Sequence, residues 1–116
     1  MSKSVEISRF TGNDFQVMTQ FEGWKIGLLR ISERFSAYKQ EERHLLTDEV
    51  FVLLEGEAVL YVEDQQFNME TGTLYNVKKG AWHHTVVSED ATVMVVENSN
   101  TGAENTEIRR VDHANQ

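Results

Sequence analysis

The chain has 116 residues, with 11 Lys and Arg set against 19 Asp and Glu, a formal net charge of −8. This length suits one domain around a single core, and the scattered basic residues lack the clustering that phosphate backbones or anionic membranes need. Cysteine is absent, which excludes disulfides, thiolate nucleophiles and Cys-ligated zinc or iron–sulfur sites.

Residues Met1 to Phe10 lack the apolar run of a signal peptide, and no stretch is long and apolar enough to span a membrane. A soluble, cytoplasmic, single-domain protein over residues 1–116 is the expectation. Proline is also absent, so the turns fall to Gly, Asn, Asp, Ser and Glu.

In chain order, Val5–Phe10 carries apolar Val5 and Ile7 two apart and predicts a half-buried strand. After the turn Gly12-Asn13-Asp14, Phe15, Val17 and Met18 predict a second extended piece, and Trp24–Ile31 a third. Tyr38–His44 differs in kind: Tyr38, Gln40, Glu42 and His44 share one face, and Lys39, Glu41 and Arg43 share the other. A strand polar on both faces makes sense where one face lines a polar cavity.

Val50–Leu54 is continuously apolar, as a strand buried on both faces would be. Glu55-Gly56-Glu57 breaks it and Ala58–Val62 resumes, which predicts a hairpin. After a turn at Glu63–Gln66 come the short runs Leu74–Val77, His83–Val87 and Thr92–Val96. From Glu97 to Gln116 the chain is polar, apart from Ile108 and Val111, and is expected to be a loosely held tail. About eight to ten short strands at near-even spacing predict an all-β sandwich or barrel.

Between His44 and Val96 the sequence resembles the cupin family. The first motif of that family ends in His, four residues, Glu, six residues, Gly, matched here by His44, Glu49 and Gly56. The second opens with Gly and reaches Gly and then His, matched by Gly72, Gly80 and His83. The motifs occupy about residues 42–56 and 72–87, and the short gap between them, with Thr47–Val62 (TDEVFVLLEGEAVLYV), is closest to small single-domain bacterial cupins. The resemblance implies a jelly-roll, or double-stranded β-helix, barrel. The chain departs from the family pattern at Glu42, where the first motif usually opens with a metal-binding His, at Lys78 in place of Pro, and at Val87 in place of Asn.

The residues themselves support a site. If the strands pair as a barrel requires, two imidazoles and a carboxylate converge, from His44, Glu49 and His83. That donor set suits a divalent transition metal (Fe, Mn, Ni, Co or Zn) and leaves positions open for substrate. Glu42, about 6.5–7 Å from His44 along the same strand face, is a fourth candidate ligand or a catalytic general base. Tyr38, Gln40, Phe51, Trp82 and Thr85 are the expected ligand-binding walls. His84 falls by alternation on the face opposite His83, and His113 lies in the tail.

The leading expectation is a metal-dependent enzyme of isomerase, lyase or dioxygenase type acting on a small organic molecule. Two alternatives stand beside it: a non-catalytic small-molecule binding or sensing module without metal, and a metal-independent sugar isomerase or epimerase using a His–carboxylate pair. Because Val50, Val52 and Leu54 oppose Phe51 and Leu53, both faces of that strand need cover, and a homodimer is expected.

Overall fold

The computed structural model describes residues 4–111. Ten strands form two five-stranded antiparallel sheets that enclose one core. The first sheet joins β1 (Asp14–Phe21), β2 (Trp24–Arg30), β9 (Thr92–Asn98), β4 (Glu49–Glu55) and β7 (Leu74–Val77), in that spatial order. The second joins β10 (Thr106–Arg110), β3 (Gln40–His44), β8 (His83–Val87), β5 (Ala58–Val62) and β6 (Gln65–Asn68). This is the double-stranded β-helix arrangement, all-β as the alternation predicts.

Three expectations are corrected. No strand forms over Val5–Phe10; the segment lies beside β1, tied by Ser8 Oγ donating to the Met18 carbonyl and Thr19 Oγ1 donating to Glu6. Alternation there lacks a backbone partner, and without a ladder it makes no strand. The Glu55-Gly56-Glu57 turn does not close a hairpin, because β4 and β5 belong to different sheets. The chain crosses the barrel there, through Gly56 at φ +76°, where an added Cβ would stand 2.4 Å from the Ala91 Cα. Only glycine fits both the left-handed conformation and that approach. Finally, the polar stretch from Glu97 is no loose tail as far as Val111: β9 runs on to Asn98, a short 3-10 turn spans Ala103–Asn105, and β10 pairs along the whole of β3. Its few aliphatics hid a strand that faces a polar partner.

The core is built where inward-facing apolar residues of both sheets meet. Phe51 and Leu53 of β4, Val93 and Val95 of β9 and Leu29 of β2 pack against Leu60 of β5, Val87 of β8 and Phe35. Each such side chain contributes roughly 1.5–3 kcal/mol by leaving water. This core fills one part of the barrel. Toward the other part the inward positions turn polar, and a cavity opens.

Candidate metal centre and cavity

Three strand ends bring the polar groups together. His44 closes β3, Glu49 opens β4 and His83 opens β8, so all three stand at one level of the barrel. Alternation aims Gln40, Glu42 and His44 of β3 and His83 and Thr85 of β8 into the space between the sheets. Glu42 and His83 are direct cross-strand partners. The cavity holds about 350 Å³, and its wall includes Gln40, Glu42, His44, Glu49, Phe51, His83 and Thr85.

His83 Nε2 lies 2.8 Å and His44 Nε2 3.0 Å from the same oxygen, Glu49 Oε1. The candidate ligand atoms of the three residues all fall within 4.8 Å of one another. The outer nitrogen of each ring is fixed from behind: His83 Nδ1 donates to the Ala81 carbonyl at 3.0 Å, and His44 Nδ1 lies 2.9 Å from Thr106 Oγ1. A carbonyl only accepts, so a neutral His83 carries its proton on Nδ1 and presents the Nε2 lone pair to Glu49. Two acceptors then face each other at 2.8 Å, an arrangement that needs a proton or a cation between them. A divalent metal satisfies this donor set, with ring orientation supplied by the groups behind.

The protonation of these groups follows the same logic. Burial works against the charge on Glu49, but the hydrogen bonds of His44 and His83, then that of Glu97, outweigh it and hold the carboxyl well below the usual carboxylate range. Burial also opposes the charge on His83; its hydrogen bond and attraction to Glu49 prevail and raise it above the ordinary imidazole value. Glu97 goes the other way. Burial, then the hydrogen bond and charge of Glu49, push its carboxyl up to about 9.

Two of the expected wall residues lie elsewhere. Tyr38 stacks on Tyr61 with centroids 4.1 Å apart and donates to Glu41 at 2.7 Å, and burial followed by the Glu41 bond raises its phenol. Trp82 lies beneath the guanidinium groups of Arg43 and Arg109, 4.6 and 4.1 Å from its ring centre. Tyr38 shares the parity of His44 but precedes β3, where alternation no longer holds, and Trp82, expected at the site from its place beside His83, precedes β8 and turns to the opposite face. Glu42 lines the cavity without joining the three-residue cluster; its Oε2 lies 3.3 Å from His84 Nδ1. His84 is fully buried between Phe35 and Tyr38 and donates Nε2–H to the Arg34 carbonyl at 3.0 Å. It stays apart from the cluster, as its parity predicts, yet it touches the cavity through Glu42. His113 lies outside the described residues.

Sequence reasoning missed Lys25, Arg34 and Glu97, all of which line the cavity. Glu97 could have been found by extending the inward series Val93, Val95 by two. Lys25 shares inward parity with Gly27 and Leu29; its ammonium donates to the Thr101 carbonyl at 2.7 Å and lies 3.7 Å from Glu97. Lys78 pairs with Asp48 at 3.6 Å and, with Lys79, is not part of the cavity wall.

Two facing antiparallel sheets with two imidazoles and a carboxylate meeting between them define a class of protein before any comparison is made. Residues 36–97 match the cupin domain family, and the chain belongs to it. No curated protein matches the sequence. Among solved structures, a cupin-2 domain protein of Shewanella frigidimarina is 23% identical with a TM-score of 0.64, covering 77% of this chain and 84% of its own. Pac13 of Streptomyces, described as a unique nucleoside dehydratase, is 12% identical with a TM-score of 0.64, covering 88% and 83%. A cupin of Methanocaldococcus jannaschii with a double-stranded β-helix fold is 14% identical with a TM-score of 0.62, covering 84% and 92%. At these identities the likeness is one of fold.

Proposed function

We propose that the protein is a metal-dependent enzyme acting on a small organic molecule bound between its sheets. A divalent transition metal (Fe, Mn, Ni, Co or Zn) would be held by His44, Glu49 and His83. The observation that carries this reading is the convergence of two Nε2 atoms on one Glu49 oxygen, with each Nδ1 tied from behind. Bound there, the metal would supply a Lewis acid for a carbonyl or enediol, or a site for O₂. Glu42 is the residue to accept or return a proton, since it faces the cavity and its Oε2 lies 3.3 Å from His84 Nδ1. Gln40 and Thr85 offer hydrogen bonds to substrate, and Phe51 provides apolar wall that keeps water from part of the cavity. Cytoplasmic action fits a cysteine-free chain, which draws no stability from an oxidising compartment.

The test is elemental analysis of protein purified without a His-tag or chelator, wild type beside His83→Ala. Near-stoichiometric metal in the wild type that is lost in the variant is the expected result. Negligible metal in both, persisting after metal is added back, overturns the reading and returns the His–carboxylate pair to metal-free chemistry.

We infer also that a second copy of the chain covers the outer face of the first sheet. Registers there align Leu28, Met94, Val52 and Leu74 in one row across four strands, and Ile26, Val96 and Val50 in a second. Neither row holds a charge, so two copies of a chain of net charge −8 could meet there without direct repulsion. Light scattering should give the mass of two chains, and Met94→Asp should halve it. A wild-type mass of one chain at micromolar concentration would sink the inference.

A further inference from the structure

The titratable side chains lining the cavity each face a polar partner, except that one cationic side chain has no carboxylate beside it among the described residues. Glu42 faces His84 at 3.3 Å, and Glu97 faces Lys25 at 3.7 Å. Glu49 faces the two imidazoles and, on the reading above, the metal. Lys25 is further occupied by the Thr101 carbonyl. Arg34 is different: its guanidinium rests on the Phe35 ring, 4.4 Å from the centre, and no carboxylate among the described residues forms an ion pair with it. Asp14, across an adjoining groove that Arg34 also borders, makes no ion pair with it.

The arginine is also held in place. His84 donates to its carbonyl, and the Val87 amide donates to the Phe35 carbonyl at 2.9 Å, so the loop is stitched to β8, the strand that carries His83. An exposed guanidinium at the edge of a cavity, fixed relative to the candidate metal ligands and stacked on an aromatic ring, is preorganised for a planar anion.

We propose that Arg34 is the specificity-determining residue of the site and that the substrate is a small organic acid, with a metal-binding oxygen at one end and a free carboxylate at the other. The inference rests on the metal-centre reading and adds the substrate class to it. Arginine binds a carboxylate through two parallel N–H···O bonds, which a neutral substrate end cannot return. The three carboxyl groups of the wall each have a neighbour other than Arg34: Glu42 beside His84, Glu49 between the two imidazoles and Glu97 beside Lys25.

The experiment is titration calorimetry of the zinc-loaded protein with paired probes that differ by one carboxylate: succinate against butanoate, and glutarate against pentanoate. Metal content is measured on the same samples. In the wild type at least one dicarboxylate should bind about 10- to 100-fold tighter than its monocarboxylate partner, the worth of one charge-assisted pair. Arg34→Gln should abolish that preference while leaving metal content and monocarboxylate affinity unchanged, and Arg34→Lys should keep part of it. Equal affinities in the wild type, or a preference that survives Arg34→Gln, overturn this inference alone. A wild type that takes up none of Zn, Fe, Mn, Ni or Co overturns the metal-centre reading, and this inference falls with it; where another of these metals loads in place of zinc, the titrations are run with that metal.

Discussion

The sheet built from β10, β3 and β8 has two faces of similar composition and opposite character. On the outer face Glu41 receives Arg109 at 2.6 Å and the Tyr38 hydroxyl at 2.7 Å, Arg43 pairs with Glu107 at 2.6 Å, and Trp82 lies under both guanidinium groups. On the inner face His44 and His83 meet Glu49 with no arginine among them, Glu42 stands alongside, and two imidazole nitrogens converge on one oxygen. The outer face is electrically closed. The inner face is completed only by protons or by a cation. A strand polar on both sides, odd by the usual alternation, is thus two devices back to back: one that staples the β10 edge and one that collects ligands.

The largest effect that would separate the two faces is on metal binding. Glu49→Gln should weaken metal affinity more than about 100-fold, beyond the range for loss of a supporting group, while Arg109→Ala should leave it unchanged; chelator competition measures both. Equal losses would mean that the faces are not independent.

The next effect is the pH dependence of the metal-free protein. Glu97 rises from 4.5 to about 9 on folding, and His83 rises above 6.5. Between those limits the folded state therefore holds more protons than the unfolded one, and the stability contributed by both groups drains away as pH rises from about 5 to about 9. Glu49, lowered by folding, acts oppositely and loses its contribution only as pH falls below 4.5. Denaturant midpoints should decline across pH 5–9, and Glu97→Gln should flatten the slope. A flat wild-type profile would contradict this account of the inner face.

Smaller effects belong to the outer face. Arg109→Ala leaves Glu41, only 4% exposed, with Tyr38 as its remaining partner, and should cost about 1–3 kcal/mol in urea unfolding. Arg43→Ala removes an exposed pair and should cost at most about 1 kcal/mol. If Arg43→Ala proved the costlier, the stacking on Trp82 would outweigh the pairing of the buried carboxylate.

Much of this was legible in the sequence. Strong alternation or unbroken β-branched runs located the strands from Trp24 to Val96 except β6, whose exposed Gln65 and Gln66 read as turn, and the spacing of His44, Glu49 and His83 located the cluster. What escaped had physical causes. Glu97 looked like the start of a polar tail because inward polarity and solvent polarity read alike in one dimension. Arg34 precedes β3 in an irregular loop, where no period assigns a face. The β4–β5 turn carries a hairpin's glycine, yet it serves a crossing whose need, room against Ala91, comes from a residue 35 positions away. Pairing between distant strands, as with β10 on β3, leaves no local mark.

β10 also bears on where this domain ends. The family match stops at residue 97, before the segment that contributes Thr101, Gly102, Ala103, Thr106 and Ile108 to the cavity wall. A chain trimmed at that boundary would keep both motifs and all three candidate ligands. It would lose the hydroxyl behind His44, the guanidinium over Glu41 and one side of the binding chamber. Such a fragment could still collect metal on loosened rings while having no defined place for a substrate, so its inactivity would say nothing about the intact protein.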